Sequence, residues 1–183
     1  MKKKVLVPLA DGFEEIEAVT IIDVLRRAGA IVTVAGVGAL QITASRGVRV
    51  VADKLIADCT TESYDLIALP GGMPGAENLY ASGMVRNLLH TQWNENRLIA
   101  AICAAPAVVL APMGLLKGRR ATCHPSFFKQ LGNAISSRDR VVVDDRIITS
   151  QGPGSALEFA LKLAEILFGE TKAADVSAPM VLG

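Results

Sequence analysis

The chain has 183 residues, enough to bury a substantial core, and reads as a single domain over residues 1–183. It is 51% hydrophobic but only 4% aromatic, so the core must be aliphatic, as in parallel strands covered by helices on both faces. With 19 basic and 18 acidic residues spread along the chain, the net charge is +1, which excludes the basic field that nucleic acid requires.

Lys2, Lys3 and Lys4 form the one basic run, read as a solvated turn before a first strand, Lys4–Leu9. That apolar run is interrupted by Pro8 and stopped by Asp11, too short for a signal segment, and no stretch approaches the roughly 20 apolar residues of a membrane span. A helix follows over Glu14–Ala28, with acids in its first turn, Arg26 and Arg27 in its last, and Gly29 as its stop. Ile31–Ala35 is a second strand, and residues 40–52 hold two short β-type runs around Ser45-Arg46-Gly47, a hairpin or excursion at a sheet edge. Asp65–Leu69 is a central strand ending at Pro70-Gly71-Gly72, followed by a helix over Ser82–Asn96. Leu98–Ile102 is another buried strand, leading into Cys103 and a helical stretch from Ala104 to Met113. A short strand over Ala121–Cys123, a hairpin of Val141–Val143 and Ile147–Thr149, a helix over Ser155–Phe168 and a short tail helix complete the chain. This alternation predicts an α/β fold: a doubly wound, mostly parallel sheet sandwiched by helices.

In such sheets ligands bind outside the carboxyl ends of the strands. Those ends carry Asp11-Gly12, Pro70-Gly71-Gly72, Cys103, Cys123-His124 and the run from Ser150 to Gly154. Cys103 follows the apolar run LIAAI and precedes Ala104-Ala105-Pro106, so its sulfur is expected at a helix N-terminus, where the dipole favours a thiolate. A buried structural cysteine explains the same position equally well. Glu17 adjoins the apolar stripe of the first helix, where burial would raise its pKa and suit it to move protons. Periodicity does not separate Glu17 from Glu15, which Ala18, Val19 and Ile22 also flank. His124 could serve as base to a thiol or simply close a turn. Gly71 and Gly72, and the helix start at Ser155, could offer backbone N–H groups to an oxyanion, though ordinary turn chemistry explains each separately. His90 and Cys59 are assigned no role, the first being mid-helix and the second in a polar loop, and Cys123 is read as buried. The odd, scattered set Cys59, Cys103 and Cys123 fits free thiols in a reducing, cytoplasmic setting. Gly36-Val37-Gly38 lacks the third glycine and the helix of a dinucleotide loop, and there is no P-loop, HExxH or CxxC pair, so no cofactor or metal is expected.

Five stretches together resemble the ThiJ/PfpI superfamily: Gly12 to Glu17, Arg26 to Gly29, Leu69 to Gly72, Ala100 to Pro106 and Thr149 to Gly154. The nearest branch is that of the YajL-like chaperone/deglycases and the human parkinsonism-linked deglycase. The resemblance implies a flavodoxin-like, class I glutamine amidotransferase-like fold and a cofactor-free enzyme. It makes Cys103 the oxidisable nucleophile, Glu17 rather than Glu15 its protonated partner, and His124 the nearby histidine. The amides of Gly72 and Ala104, with Gly71 beside them, become the oxyanion site, and Arg27 and Arg46 become arginines near a homodimer interface. Small aldehydes or glycated proteins are the implied substrates, in glyoxalase III or protein deglycase chemistry with a role in oxidative-stress protection. A redox-sensing chaperone without turnover is the alternative. Ala104 stands where the superfamily's peptidases place a histidine, which argues against a third reading, an intracellular cysteine peptidase. His124 is common in the human-like branch and often absent from the YajL-like one, so this chain mixes the two patterns.

Overall fold

The computed structural model describes residues 2–182. The strands are β1 (Lys4–Leu9), β2 (Ile31–Gly36), β3 (Gln41–Thr43), β4 (Arg49–Val51), β5 (Lys54–Leu55), β6 (Leu66–Leu69), β7 (Leu98–Ile102), β8 (Arg120–Ala121), β9 (Ile135–Ser136), β10 (Val141–Asp144) and β11 (Ile147–Ser150). The α-helices are α1 (Glu15–Ala28), α2 (Gly75–Ala81), α3 (Gly83–Asn94), α4 (Ala156–Phe168) and α5 (Glu170–Ser177).

Among the described residues the main sheet has seven strands in the order β10-β11-β7-β6-β1-β2-β5. All its pairs are parallel except the β10–β11 hairpin at one edge. Side chains alternate across a strand, so β1 feeds two cores at once. Val5, Val7 and Leu9 join Ile21, Val24 and Leu25 of α1 and Phe159 and Leu163 of α4 on one face. Leu6 and Ala10 join Leu79 of α2 and Leu89 of α3 on the other. Both faces are covered, which is why the strands read as unbroken apolar runs rather than as alternation. α1 ends as its sequence dictates: Gly29 takes a left-handed φ of 99° and its N–H returns to Arg26 O at 3.0 Å.

Several elements differ from expectation. The helix read over Ser82–Asn96 is preceded by a separate α2, because Ser82 turns the chain and caps α3, accepting from Val85 N at 3.4 Å. The stretch after Cys103 is not an ordinary helix: Pro106–Leu110 is a π-helical turn, with Ala111 N bonded to Pro106 O five residues back at 2.9 Å. The strand read over Ala121–Cys123 is β8, which lies outside the main sheet and pairs with β9. The edge excursion is a separate β3–β4 hairpin, while β5, unread in the sequence, adds the edge strand beside β2. Cys59 lies not in an open polar loop but fully buried at the end of a 3-10 turn, Ile56–Cys59, because Tyr64 and the apolar face beneath α3 enclose it.

These connections bring the carboxyl ends of β1, β6, β7 and β11 to one edge, together with the N-terminus of α1. That is the position at which the topology of an open sheet places a ligand.

Candidate active site

Cys103 sits directly after β7 with a left-handed φ of 64°, a conformation that costs a non-glycine residue of order 1–3 kcal/mol. Its backbone is tied on both sides: its N–H donates to Ser150 O at 3.0 Å and its carbonyl accepts from His124 N at 2.8 Å. β11 and the loop after β8 thus hold the elbow, and the buried methyls of Ala104 and Ala105 let the chain turn there.

The loop after β6 passes so close to this elbow that it must be glycine. A Cβ on Gly71 would lie 2.6 Å from Cys103 Cβ and 2.9 Å from Ala104 N. Gly72, at a φ of 87°, has no room either, since a Cβ would lie 2.4 Å from Glu14 N. What the approach achieves is polar: Gly71 N donates to Glu17 Oε2 at 2.8 Å, and Glu14 N donates to Gly71 O at 3.0 Å. The backbone amides of Gly72 and Ala104 lie beside the Cys103 sulfur and favour its ionised form.

Glu17, in the first turn of α1, is 0% exposed, and its other oxygen, Oε1, has no N–H or O–H partner among the described residues; the Cys103 thiol is the group beside it. Burial raises its pKa from 4.5 to about 7, against the opposing pull of the Gly71 amide and Cys103. Burial, the charge of ionised Glu17 and its hydrogen bond push the Cys103 thiol up to about 12, against the pull of the Gly72 and Ala104 amides. This corrects the expectation of a thiolate favoured by a helix N-terminus. The π-helical turn begins only at Pro106, and the group facing the sulfur is a carboxylate. The two groups share a proton as a coupled pair. With Glu17 ionised the proton stays on sulfur; once Glu17 takes it, the opposing charge vanishes, the carboxyl becomes a donor, and the thiolate is stabilised.

His124 ends the chain's return from β8 and opens a 3-10 turn, Pro125–Gln130. Its Nδ1 accepts from Ser126 N at 3.3 Å, which assigns the proton of the neutral ring to Nε2. Phe127 meets the ring edge-on, with centroids 6.3 Å apart. The third wall is Gly152. A Cβ built there would lie 3.5 Å from His124 Cδ2, 3.9 Å from Cys103 Sγ and 4.0 Å from Glu17 Oε1. Cysteine, carboxyl and imidazole therefore converge on the space that this glycine leaves open.

The sequence-predicted residues Cys103, Glu17, His124, Gly71, Gly72 and Ala104 come together. Arg27 does not: it is exposed at the far end of α1, paired with Asp23 at 2.7 Å. Arg46 is exposed at the tip of the β3–β4 hairpin, beside the first turn of α1. Glu15, indistinguishable from Glu17 by periodicity, holds that hairpin, accepting from Ser45 Oγ at 3.1 Å and Arg46 N at 3.0 Å. Sequence reading gives Ser150 no role beyond its place at a strand end and offers the Ser155 helix start only as a source of backbone N–H groups; the structure shows their side chains at work instead. Buried Ser155 Oγ accepts from Gly152 N at 3.1 Å and lies 2.7 Å from Ser150 Oγ, so the pair pins the Gly152 wall. The signal available was the Gly152-Pro153-Gly154 turn at a strand end. Among the described residues no group of three or more His, Cys, Asp or Glu side chains is placed to hold a metal ion, and no helix is long and apolar enough to cross a membrane.

Comparison with known proteins identifies the family and the fold. A DJ-1 homologue of Arabidopsis thaliana is 47% identical over 98% of this chain, which spans 42% of that relative's length. A glutathione-independent glyoxalase of Caenorhabditis elegans is 39% identical, covering 97% of this chain and 95% of the relative. The structure of oxidised DJ-1 from Toxoplasma gondii superposes with a TM-score of 0.96 at 49% identity, covering 99% of each chain. Residues 3–166 match the DJ-1/PfpI family, and the chain belongs to that family.

Proposed function

We propose that this protein is a cysteine-dependent, cofactor-free glyoxalase III or protein deglycase, acting on glyoxal, methylglyoxal and their early adducts on proteins. The observation that carries the reading is the buried Glu17 carboxyl, its pKa raised to about 7, converging with the Cys103 thiol on the space beside Gly152. A carboxylate so placed takes the thiol proton as sulfur attacks, which removes the barrier that a high thiol pKa would otherwise impose.

The steps balance without an external oxidant. Cys103 Sγ adds to the aldehyde carbon of a 2-oxoaldehyde, and the C–S bond forms as the carbonyl π bond breaks. Glu17, having taken the thiol proton, returns it to the alkoxide, giving a neutral hemithioacetal. Ionised Glu17 then removes the proton from the former aldehyde carbon, and the electron pair forms an enediol whose second oxygen takes a proton from His124 Nε2. Glu17 delivers its proton to the neighbouring carbon while His124 recovers one from the first oxygen, leaving a thioester. Water cleaves the C–S bond and restores the thiol. One carbon has been oxidised from aldehyde to acid and its neighbour reduced from ketone to alcohol. The relative named as a glutathione-independent glyoxalase supports this choice of substrate.

The purified chain, given methylglyoxal and no glutathione, should form lactate, and Cys103→Ala should not. Lactate formation by Cys103→Ala at the wild-type rate overturns the reading.

One further observation favours a second role, oxidative-stress sensing. Cys59 and Cys123 are fully buried, whereas Cys103 is partly exposed. A protonated Glu17 beside it would donate a hydrogen bond to a sulfinate. The same pair can serve both purposes.

A further inference from the structure

A groove of about 440 Å³, which the reaction as described does not use, is lined by residues that adjoin the site in the chain, among them Met73, Ala107 and Phe127. Three stretches of its lining follow closely in the chain on Gly72, Cys103 and His124. Met73 follows Gly72, whose amide faces the sulfur; it is 37% exposed despite being apolar. Phe127 stands edge-on to the His124 ring. The third wall is the π-helical turn that follows the nucleophile elbow, contributing Ala107 and half-buried Val108, with Pro112 just beyond it. Ala107 is joined to the elbow through its N–H, which donates to Ala104 O at 3.1 Å. A π-helical turn is a rare departure from the α-helix, frequent at functional sites. Ala107 and Val108 of this turn both line the groove. The polar residues of the lining include exposed Glu77, which sets a negative charge against anionic occupants, and Gln130.

We propose that this groove is a specificity subsite that takes the apolar alkyl or aryl substituent of a 2-oxoaldehyde whose aldehyde carbon is at Cys103. The inference rests on the glyoxalase reading and names its substrate class: uncharged oxoaldehydes larger than methylglyoxal. Apolar burial is worth about fourfold in kcat/KM for each methylene fully removed from water. The groove is open on one side, so a phenyl group in place of methyl should gain roughly tenfold.

The test measures kcat/KM for methylglyoxal, a series of longer alkylglyoxals and phenylglyoxal in the wild type, Met73→Ala and Val108→Phe. The first variant removes a wall and the second fills the groove; neither residue touches the reacting atoms in this scheme. In the wild type kcat/KM should climb along the series. In both variants it should stay within about twofold for methylglyoxal, which also reports that the fold is intact, while the phenylglyoxal value falls about tenfold. Taking the ratio of variant to wild type for each aldehyde cancels the aldehyde's own reactivity. A flat series in an active wild type, or equal loss for both substrates in both variants, overturns the subsite alone. Absence of turnover with every oxoaldehyde overturns the glyoxalase reading, and the subsite with it.

Discussion

Replacing Glu17 by Gln tests the buried carboxyl through stability, independently of any substrate. Gln keeps an oxygen to accept from Gly71 N and nearly the same volume, so the change removes the titration and little else. The unfolded chain releases the Glu17 proton at an ordinary pKa of 4.5, whereas the folded protein keeps it to about 7. Between those values the folded state binds the extra proton, so wild-type stability falls as pH rises through the window. A difference of about 2.5 in pKa, at about 1.36 kcal/mol each, amounts to roughly 3 kcal/mol. The Cys103 thiol adds nothing in that window, since its pKa is raised from 9.0 to about 12 and its contribution is lost only at higher pH. Urea denaturation of wild type and Glu17→Gln at half-unit steps from pH 4.5 to 8 should show the difference drifting toward the variant by up to about 3 kcal/mol. A difference that stays constant across this range refutes the assignment of a buried, raised carboxyl at Glu17.

Other outcomes follow from the same geometry. Mild peroxide should add two oxygens to Cys103 before either of the fully buried thiols, Cys59 and Cys123; mass spectrometry showing equal oxidation of all three contradicts this. Gly152→Ala places a methyl 3.5–4.0 Å from His124, Cys103 and Glu17, ordinary contact that the fold tolerates but that fills the substrate's space. Its methylglyoxal turnover should fall by at least about tenfold with a thermal midpoint near wild type; unchanged turnover would place the substrate elsewhere. We propose a homodimer through the exposed apolar side chains Ile16 (56% exposed) and Val19 on α1 and Val48 and Val51 (71% exposed) on the β3–β4 hairpin. Sedimentation should show a dimer for wild type and a monomer for Ile16→Glu combined with Val51→Glu; an unchanged dimer would move the interface to another face.

The sheet was legible because it is covered on both faces: runs such as VLVPL, LIAL and LIAAI have no amphipathic alternative. The strand-end rule then brought Cys103, His124 and the glycine turns to one edge before any motif was consulted. Glu17 was not legible from periodicity, because what distinguishes it from Glu15 is non-local. Glu17 faces Gly71, 54 positions away, while Glu15 faces the hairpin about 30 positions away. The separate α2 escaped because its residues follow a glycine turn and end at Ser82, which reads as the cap of the next helix only. The π-helical turn escaped because its sequence, PAVVL, carries the same apolar pattern as an ordinary helix. The direction of the Cys103 shift was misjudged for a related reason: the dipole argument is local, whereas the charge that matters arrives from another element.

The most direct test of the Cys103–Glu17 pair follows the proton. Methylglyoxal converted in D2O without glutathione should give lactate carrying deuterium at carbon 2, because the hydrogen lost from carbon 1 resides on Glu17 long enough to exchange. Cys103→Ala and Glu17→Gln should give no product. Lactate that retains protium at carbon 2, or product formed at the wild-type rate by either variant, would contradict the account.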